Sequence, residues 1–249
     1  RRPVIVALAG PNGAGKTTFY HAHLQFAGLR FINADVLARE LKLDPYAAAH
    51  VAEALRRQLV EQRESFVFET VFSDPVGDKL TFLKETAATG YTVVLCFIGI
   101  SGPAVSEERV AMRVSQGGHD VPAEKLVARF PRTLANLKTA ICALPHVWIF
   151  DNDDLRTPFR QVAVFENGVM EIPLEKLGNE VEIYGRIFPS IKPGEIAAPS
   201  FAGLSSIPHG MFLSISSSGV ELRFRAAEIP APAPAPEQKM LLEACKLLT

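Results

Sequence analysis

The chain has almost no net charge, three cysteines and no long apolar run, and each shortage narrows what it can be. Lysine and arginine number 26 against 27 aspartates and glutamates, a formal net charge of −1. Such a balance supplies no long-range positive field to draw in a polyanion, so no nucleic-acid partner is expected and a small anionic substrate fits better. No apolar stretch approaches the roughly 20 residues a membrane helix needs, so no membrane partner is expected either. Cys96, Cys142 and Cys245 are odd in number and far apart, without a C-x-x-C pair; they read as reduced thiols rather than a disulfide framework or a metal site. The chain opens on Arg1 with no signal-like segment behind it, which is expected of a trimmed start and of the cytoplasm. There is no N-K-x-D base-reading motif and no L-S-G-G-Q segment, and no internal repeat stands out.

What is present is enough apolar residue for a sizeable core, 48% of a 249-residue chain, which suits one large α/β domain with a smaller appendage. Apolar runs alternate with helical stretches over the first part, the pattern of βαβ units around a mostly parallel sheet. Strands are predicted at 4–9, 29–32, 66–69, 91–100, 147–151 and 161–166, and helices at 16–27, 36–43, 47–63, 76–88, 107–115 and 122–144. Beyond residue 177 proline, glycine and serine rise and helical periodicity stops; 211–225 reads as two strands about the turn at 217–219. The alternating Pro and Ala of 230–236 predicts a stiff spacer, followed by a short amphipathic segment at 239–248. The expected division is a P-loop domain over 1–175, a β-rich or irregular appendage over 176–229, and a spacer with a terminal helix over 230–249.

Gly10-Pro11-Asn12-Gly13-Ala14-Gly15-Lys16-Thr17 satisfies G-x-x-x-x-G-K-[ST] and lies between a predicted strand and a predicted helix, the context the motif requires. Its glycines let successive N–H groups curl around one phosphate, and the helix N-terminus adds partial positive charge. Lys16 is expected to hold the β- and γ-phosphates, Thr17 to ligate Mg²⁺, and Thr18 to complete the loop. The motif predicts a bound nucleoside triphosphate. With GTPase and transporter signatures missing, a small-molecule kinase using ATP is the expected class.

In an open α/β sheet the ligand lies beyond the carboxyl ends of the strands. Asp35, in Ile32-Asn33-Ala34-Asp35, sits where a carboxylate can accept a proton from an attacking hydroxyl. The alternative is a first-turn acid of the next helix, although Asn33 competes for that cap. Glu69, followed by Thr70, ends an apolar strand where a carboxylate must be solvated, paired or bound to ligand. Substrate binding and a salt bridge at a strand end both fit Glu69.

Arg109 and Arg113 are four residues apart on a predicted helix and share a face, with Gly117-Gly118 behind them as a hinge. Closed over the transferring phosphoryl group they would stabilise its charge; paired with Glu107 and Glu108 they would be an ordinary solvated face. Arg129 and Arg132 are weaker candidates. His119 fits a lid contact, a proton carrier or a turn residue and forms no metal site with other histidines. Asn152, after the strand at 147–151, is expected to contact the base, with a strand-end cap as the alternative; Trp148 and Phe150 read as core.

Phe31-Ile32-Asn33-Ala34-Asp35, Phe68-Glu69-Thr70 and Arg109-Val110-x-x-Arg113-Val114-x-x-Gly117-Gly118-His119 with Pro122 together resemble the zeta-toxin family of P-loop kinases over about residues 1–170. The resemblance implies a kinase that phosphorylates a hydroxyl of UDP-N-acetylglucosamine and is restrained by an antitoxin partner. It implies Asp35 as general base and Glu69 as a sugar-binding acid, with Asn33 and Thr70 beside them. The lid departs from the typical family spacing, so a kinase inactivating an antibiotic or another metabolite stays open, as does a nucleotide-switched binding protein. The fold expected is a three-layer P-loop sandwich whose mainly parallel five-stranded sheet has the order 2-3-1-4-5.

Overall fold

The computed structural model describes residues 2–118 and 120–171, together with the backbone of two strands at Met211–Ser216 and Gly219–Phe224. His119, the predicted spacer at 230–236 and the segment at 239–248 lie outside the described residues.

The elements run β1 (Val4–Ala9), α1 (Lys16–Phe19), β2 (Arg30–Ile32), α2 (Ala34–Leu41), α3 (Pro45–Glu61), β3 (Phe66–Thr70), α4 (Asp78–Ala88), β4 (Thr92–Gly99), α5 (Pro103–Ser115), α6 (Ala123–Ala143), β5 (His146–Asp151), β6 (Arg160–Glu166) and β7 (Val169–Glu171). Seven strands form one sheet in the order β2-β3-β1-β4-β5-β6-β7. The first five pair in parallel, in the order expected, and β6 and β7 extend that sheet antiparallel. The sheet is thus two strands wider than the five expected. Asn167 and Gly168, both at positive φ, form the tight Asn-Gly hairpin turn between β6 and β7. β8 (Met211–Ser216) and β9 (Gly219–Phe224) pair as an antiparallel ribbon, as the sequence pattern predicts.

The period-2 alternation of the central strands builds a core on each face. Ile5, Ala7, Val93, Leu95, Phe97, Val147 and Ile149 pack with α3, α4 and α6. Leu8, Val94, Cys96, Ile98, Trp148 and Phe150 pack with Phe19 and Tyr20 on the opposite face. This gives the three layers, and it leaves only the strand ends for polar chemistry. The helix after the P-loop is less regular than its spacing predicts. α1 gives way to a π turn at Tyr20–Leu24 and a 3₁₀ turn at Gln25–Ala27, where the Tyr20 ring stacks on Phe31 at 3.8 Å between centroids. Among the described residues no helix is long and apolar enough to cross a membrane.

Candidate phosphoryl-transfer site

Strand β1 delivers the loop from Gly10 to Gly15 to the N-terminus of α1. Two of its glycines are fixed by close approach as well as by conformation. Gly10 has φ +145°, and a Cβ there would lie 2.2 Å from the Ile98 carbonyl oxygen; Gly15 has φ +87°, and a Cβ would lie 2.7 Å from Asn152 Nδ2. Side chains of distant elements hold the loop from outside. Ser106 Oγ donates to the Asn12 carbonyl at 2.7 Å and Asn152 Nδ2 to the Ala14 carbonyl at 2.9 Å. Pro11 and Ala14 are buried, Asn12 and Gly13 half-buried, and Thr18 is exposed on the first turn of α1.

Lys16 is folded along its own loop, donating to the carbonyls of Gly10 at 3.0 Å and Pro11 at 2.9 Å. Its ammonium also lies 3.7 Å from Glu69 Oε1. Burial pulls the Lys16 pKa below its ordinary value, while Glu69 and then Asp35 oppose the shift and Arg113 adds to it. Glu69, at the end of β3, also accepts from the Thr17 hydroxyl at 2.7 Å and from Asn33 Nδ2 at 2.8 Å. Three residues from two segments, Lys16 and Thr17 at the start of α1 and Asn33 before α2, therefore converge on one carboxylate. Asn33 uses its other atom, Oδ1, to cap α2, accepting from the amides of Asp35 at 2.8 Å and Val36 at 3.2 Å. That leaves the Asp35 side chain out of the cap, on the first turn of α2 and within electrostatic reach of Lys16. Thr70 Oγ1 accepts from the Phe72 amide at 3.0 Å. A cleft of about 260 Å³ opens beside this cluster, lined by Asn33, Asp35, Glu69 and Thr70 from the strand ends and by residues of α3 and α4.

Magnesium, which a P-loop implies, takes hard oxygen ligands and keeps several waters rather than an all-protein cage. The Thr17 hydroxyl beside the Glu69 carboxylate is such a donor set and fits it. Among the described residues there is no group of three or more His, Cys, Asp or Glu suited to holding a metal by itself.

The two lid candidates part company. Arg109 bonds no neighbouring acid; its guanidinium donates to the carbonyls of Asn152 at 2.7 Å and Asp153 at 2.9 Å, tying α5 to the loop after β5. Arg113 lies within electrostatic reach of Lys16. Gly117 and Gly118, read as a hinge, close the end of α5, with the Gly118 amide donating to the Arg113 carbonyl at 2.9 Å. Arg129 and Arg132 lie on α6. Asn152 is buried, and its amide is used inside the protein, towards Ala14 and, at 3.4 Å, the Phe159 amide. It clamps the P-loop, a role its position after a strand does not disclose; Ser106, in the middle of a helical stretch, carries no sequence signal at all.

A P-loop motif on a 2-3-1-4-5 parallel sheet, with carboxylates at the neighbouring strand ends, defines the fold class of the P-loop kinases. Residues 43–160, a little under half of the chain, match the family described as Zeta toxin. The match takes in Glu69, Thr70, Arg109, Arg113 and Asn152 and begins after the P-loop and Asp35. No curated protein matches the chain. Among solved structures, a chain of the AvrRxo1-ORF1:AvrRxo1-ORF2 complex with sulphate ions is 18% identical, with 77% of this chain and 66% of that one covered at a TM-score of 0.58. The same pair with ATP gives 18%, 77%, 65% and 0.57. The PezAT toxin–antitoxin system of Streptococcus pneumoniae gives 16%, 78%, 82% and 0.50. At these identities the likeness bears on the fold, and this chain spans just under two-thirds of those AvrRxo1 chains.

Proposed function

We propose that the protein is an ATP-dependent kinase that phosphorylates a hydroxyl of a small metabolite resembling a nucleotide sugar, and that it acts as the toxin of a toxin–antitoxin pair. The observation that carries this reading is the convergence of Lys16, Thr17 and Asn33 on Glu69 at the head of a cleft that Asp35 lines. Loop amides and Lys16 bind the triphosphate, and Thr17 with Glu69 would hold Mg²⁺, which would supply positive charge to offset that of the phosphate oxygens. The acceptor lies in the cleft with its hydroxyl towards Asp35. As the hydroxyl oxygen bonds to the γ-phosphorus, the bond from that phosphorus to the β,γ-bridging oxygen breaks, ADP leaves, and the hydroxyl proton passes to the Asp35 carboxylate. Arg113 would neutralise the phosphoryl oxygens, a role that its electrostatic reach to Lys16 supports; Arg109 and Asn152 hold the loop and the segment after β5. Asn152 would reach the adenine base only by giving up its bond to Ala14. The family of residues 43–160 and the PezAT structure, a toxin–antitoxin system, support the toxin reading and a protein partner.

The test is ATP turnover by the full chain with Mg²⁺ and a panel of UDP-sugars and small polyols, with products read by mass spectrometry. A product heavier by one phosphoryl group is expected, and Asp35→Asn should slow its formation by on the order of 10²-fold or more. ATP hydrolysis with no phosphorylated acceptor anywhere in the panel, or an unaffected Asp35→Asn variant, would sink the proposal.

A further inference from the structure

Arg56 is a buried charge in this cleft that the reaction above does not use. It sits on α3, is 5% exposed, and its guanidinium carbon lies 5.0 Å from the ring centroid of Phe68 and 6.0 Å from that of Phe82. Ring faces attract a cation but offer no acceptor for its five N–H donors. Among the described residues Arg56 has no hydrogen bond and no ion pair. Of the acids nearby, Glu53 lies within electrostatic reach of Arg56 but makes its hydrogen bond to Arg57 at 3.0 Å, and Glu69 holds Thr17, Asn33 and Lys16. Removal from water pushes the Arg56 pKa down to about 10, so it remains a cation at neutral pH, kept where a cation costs free energy unless something pairs with it. The place from which a partner can come is the cleft, whose wall Arg56 forms together with His50, Lys79 and Asp35.

We propose that Arg56, with Lys79 beside it on the cleft wall, is a specificity residue that binds an anionic group of the phosphate acceptor, a phosphate or carboxylate, while the acceptor's hydroxyl faces Asp35. This rests on the kinase reading for what the cleft is used for, but not for the anion site itself. Asp35 and Glu69 occupy the end nearest the P-loop, and the two cations come from α3 and α4. An acceptor bearing a hydroxyl and an anionic group thus has a place for each. A neutral polyol leaves Arg56 unsatisfied, and a polycationic antibiotic meets repulsion. Of the substrate classes the sequence leaves open, the anionic ones are selected.

The experiment is isothermal titration of the full chain, its P-loop saturated with a non-hydrolysable ATP analogue and Mg²⁺. The probes are UDP-N-acetylglucosamine, inorganic phosphate and neutral N-acetylglucosamine, against wild type, Arg56→Gln and Arg56→Lys. The charged probes should bind and the neutral sugar should not. Arg56→Gln should weaken UDP-N-acetylglucosamine by about tenfold or more, the scale of losing one charge-assisted bond, and Arg56→Lys by less. Affinity for the ATP analogue, which Arg56 does not touch, reports that each variant is folded. The inference is overturned if the neutral sugar binds as tightly as the charged probes, if Arg56→Gln binds them unchanged, or if neither anion binds the nucleotide-loaded wild type. Arg56-dependent anion binding without phosphoryl transfer would refute the kinase reading and leave this one standing.

Discussion

The Thr17 hydroxyl donates to Glu69 Oε2 at 2.7 Å, joining the first turn after the P-loop to the end of a strand 52 residues away. That bond ties Glu69 to the P-loop as well as to the cleft it lines, because the same carboxylate also holds Asn33 and faces Lys16.

Glu69→Gln should therefore disturb more than acceptor affinity. The amide keeps the shape but loses the charge that Lys16 and Thr17 share and that the proposed metal would use. Transfer should fall by on the order of 10²-fold, the scale of removing one preorganised polar group at a reacting centre, with the Mg²⁺ concentration for half-maximal rate raised. Steady-state kinetics over a magnesium titration checks this. A change confined to the acceptor KM would limit Glu69 to substrate binding.

Asn152→Ala tests the clamp. The variant leaves the Ala14 carbonyl without its buried donor, a loss of about 1–3 kcal/mol. Melting should drop by roughly 2–4 °C for each kcal/mol, and affinity for the ATP analogue should weaken. Wild-type melting and affinity would place the loop's rigidity elsewhere, in Ser106 or Gly15.

Arg109 and Arg113 should separate in kinetics as they do in space. Arg109→Ala frees the carbonyls of Asn152 and Asp153, so it should lower the melting temperature and raise the KM for ATP. Arg113→Ala should leave ATP binding near wild type and reduce kcat by on the order of 10²-fold. Single-variant melting and kcat, measured together, decide; a reversal of the two patterns would exchange the roles assigned here.

The parts of this protein that were legible in sequence are those governed by short-range rules. The P-loop is a contiguous motif, and strands buried on both faces, such as Thr92–Gly99, are unbroken apolar runs. Asn33 as the cap of α2, which frees Asp35, follows from local side-chain chemistry. What stayed hidden depends on distant partners. Asn152 meets Ala14 across 138 residues, and nothing near it in sequence says which way its amide points. Arg56 reads as one of several charges on an amphipathic helix; only the fold puts it against two phenylalanine rings in the cleft wall. The π turn at Tyr20–Leu24 was likewise illegible, since its spacing is helical and the Tyr20–Phe31 stack beside it is tertiary.

His23, in that π turn, sets a pH dependence that can be signed. Both ring nitrogens are buried without a hydrogen-bond partner, and the ring packs against Phe19 at 4.7 Å and Phe159 at 5.4 Å, centroid to centroid. Burial lowers its pKa from the ordinary 6.5. Between that value and the lower native one the unfolded chain binds more protons than the folded chain, so stability rises with pH there and is lost on acidification. Other groups titrate in the same range, so the variant His23→Phe isolates the effect: it keeps the ring and removes the proton site. Melting of wild type should fall more steeply between pH 7.5 and pH 5 than melting of His23→Phe, by about 2–4 °C for each kcal/mol of linkage. Because Phe159 also packs against the Gly15 position of the P-loop, affinity for the ATP analogue should decline over the same interval in wild type and hold in the variant. Parallel melting curves for the two proteins would remove His23 from the account and leave acid sensitivity to the surface groups.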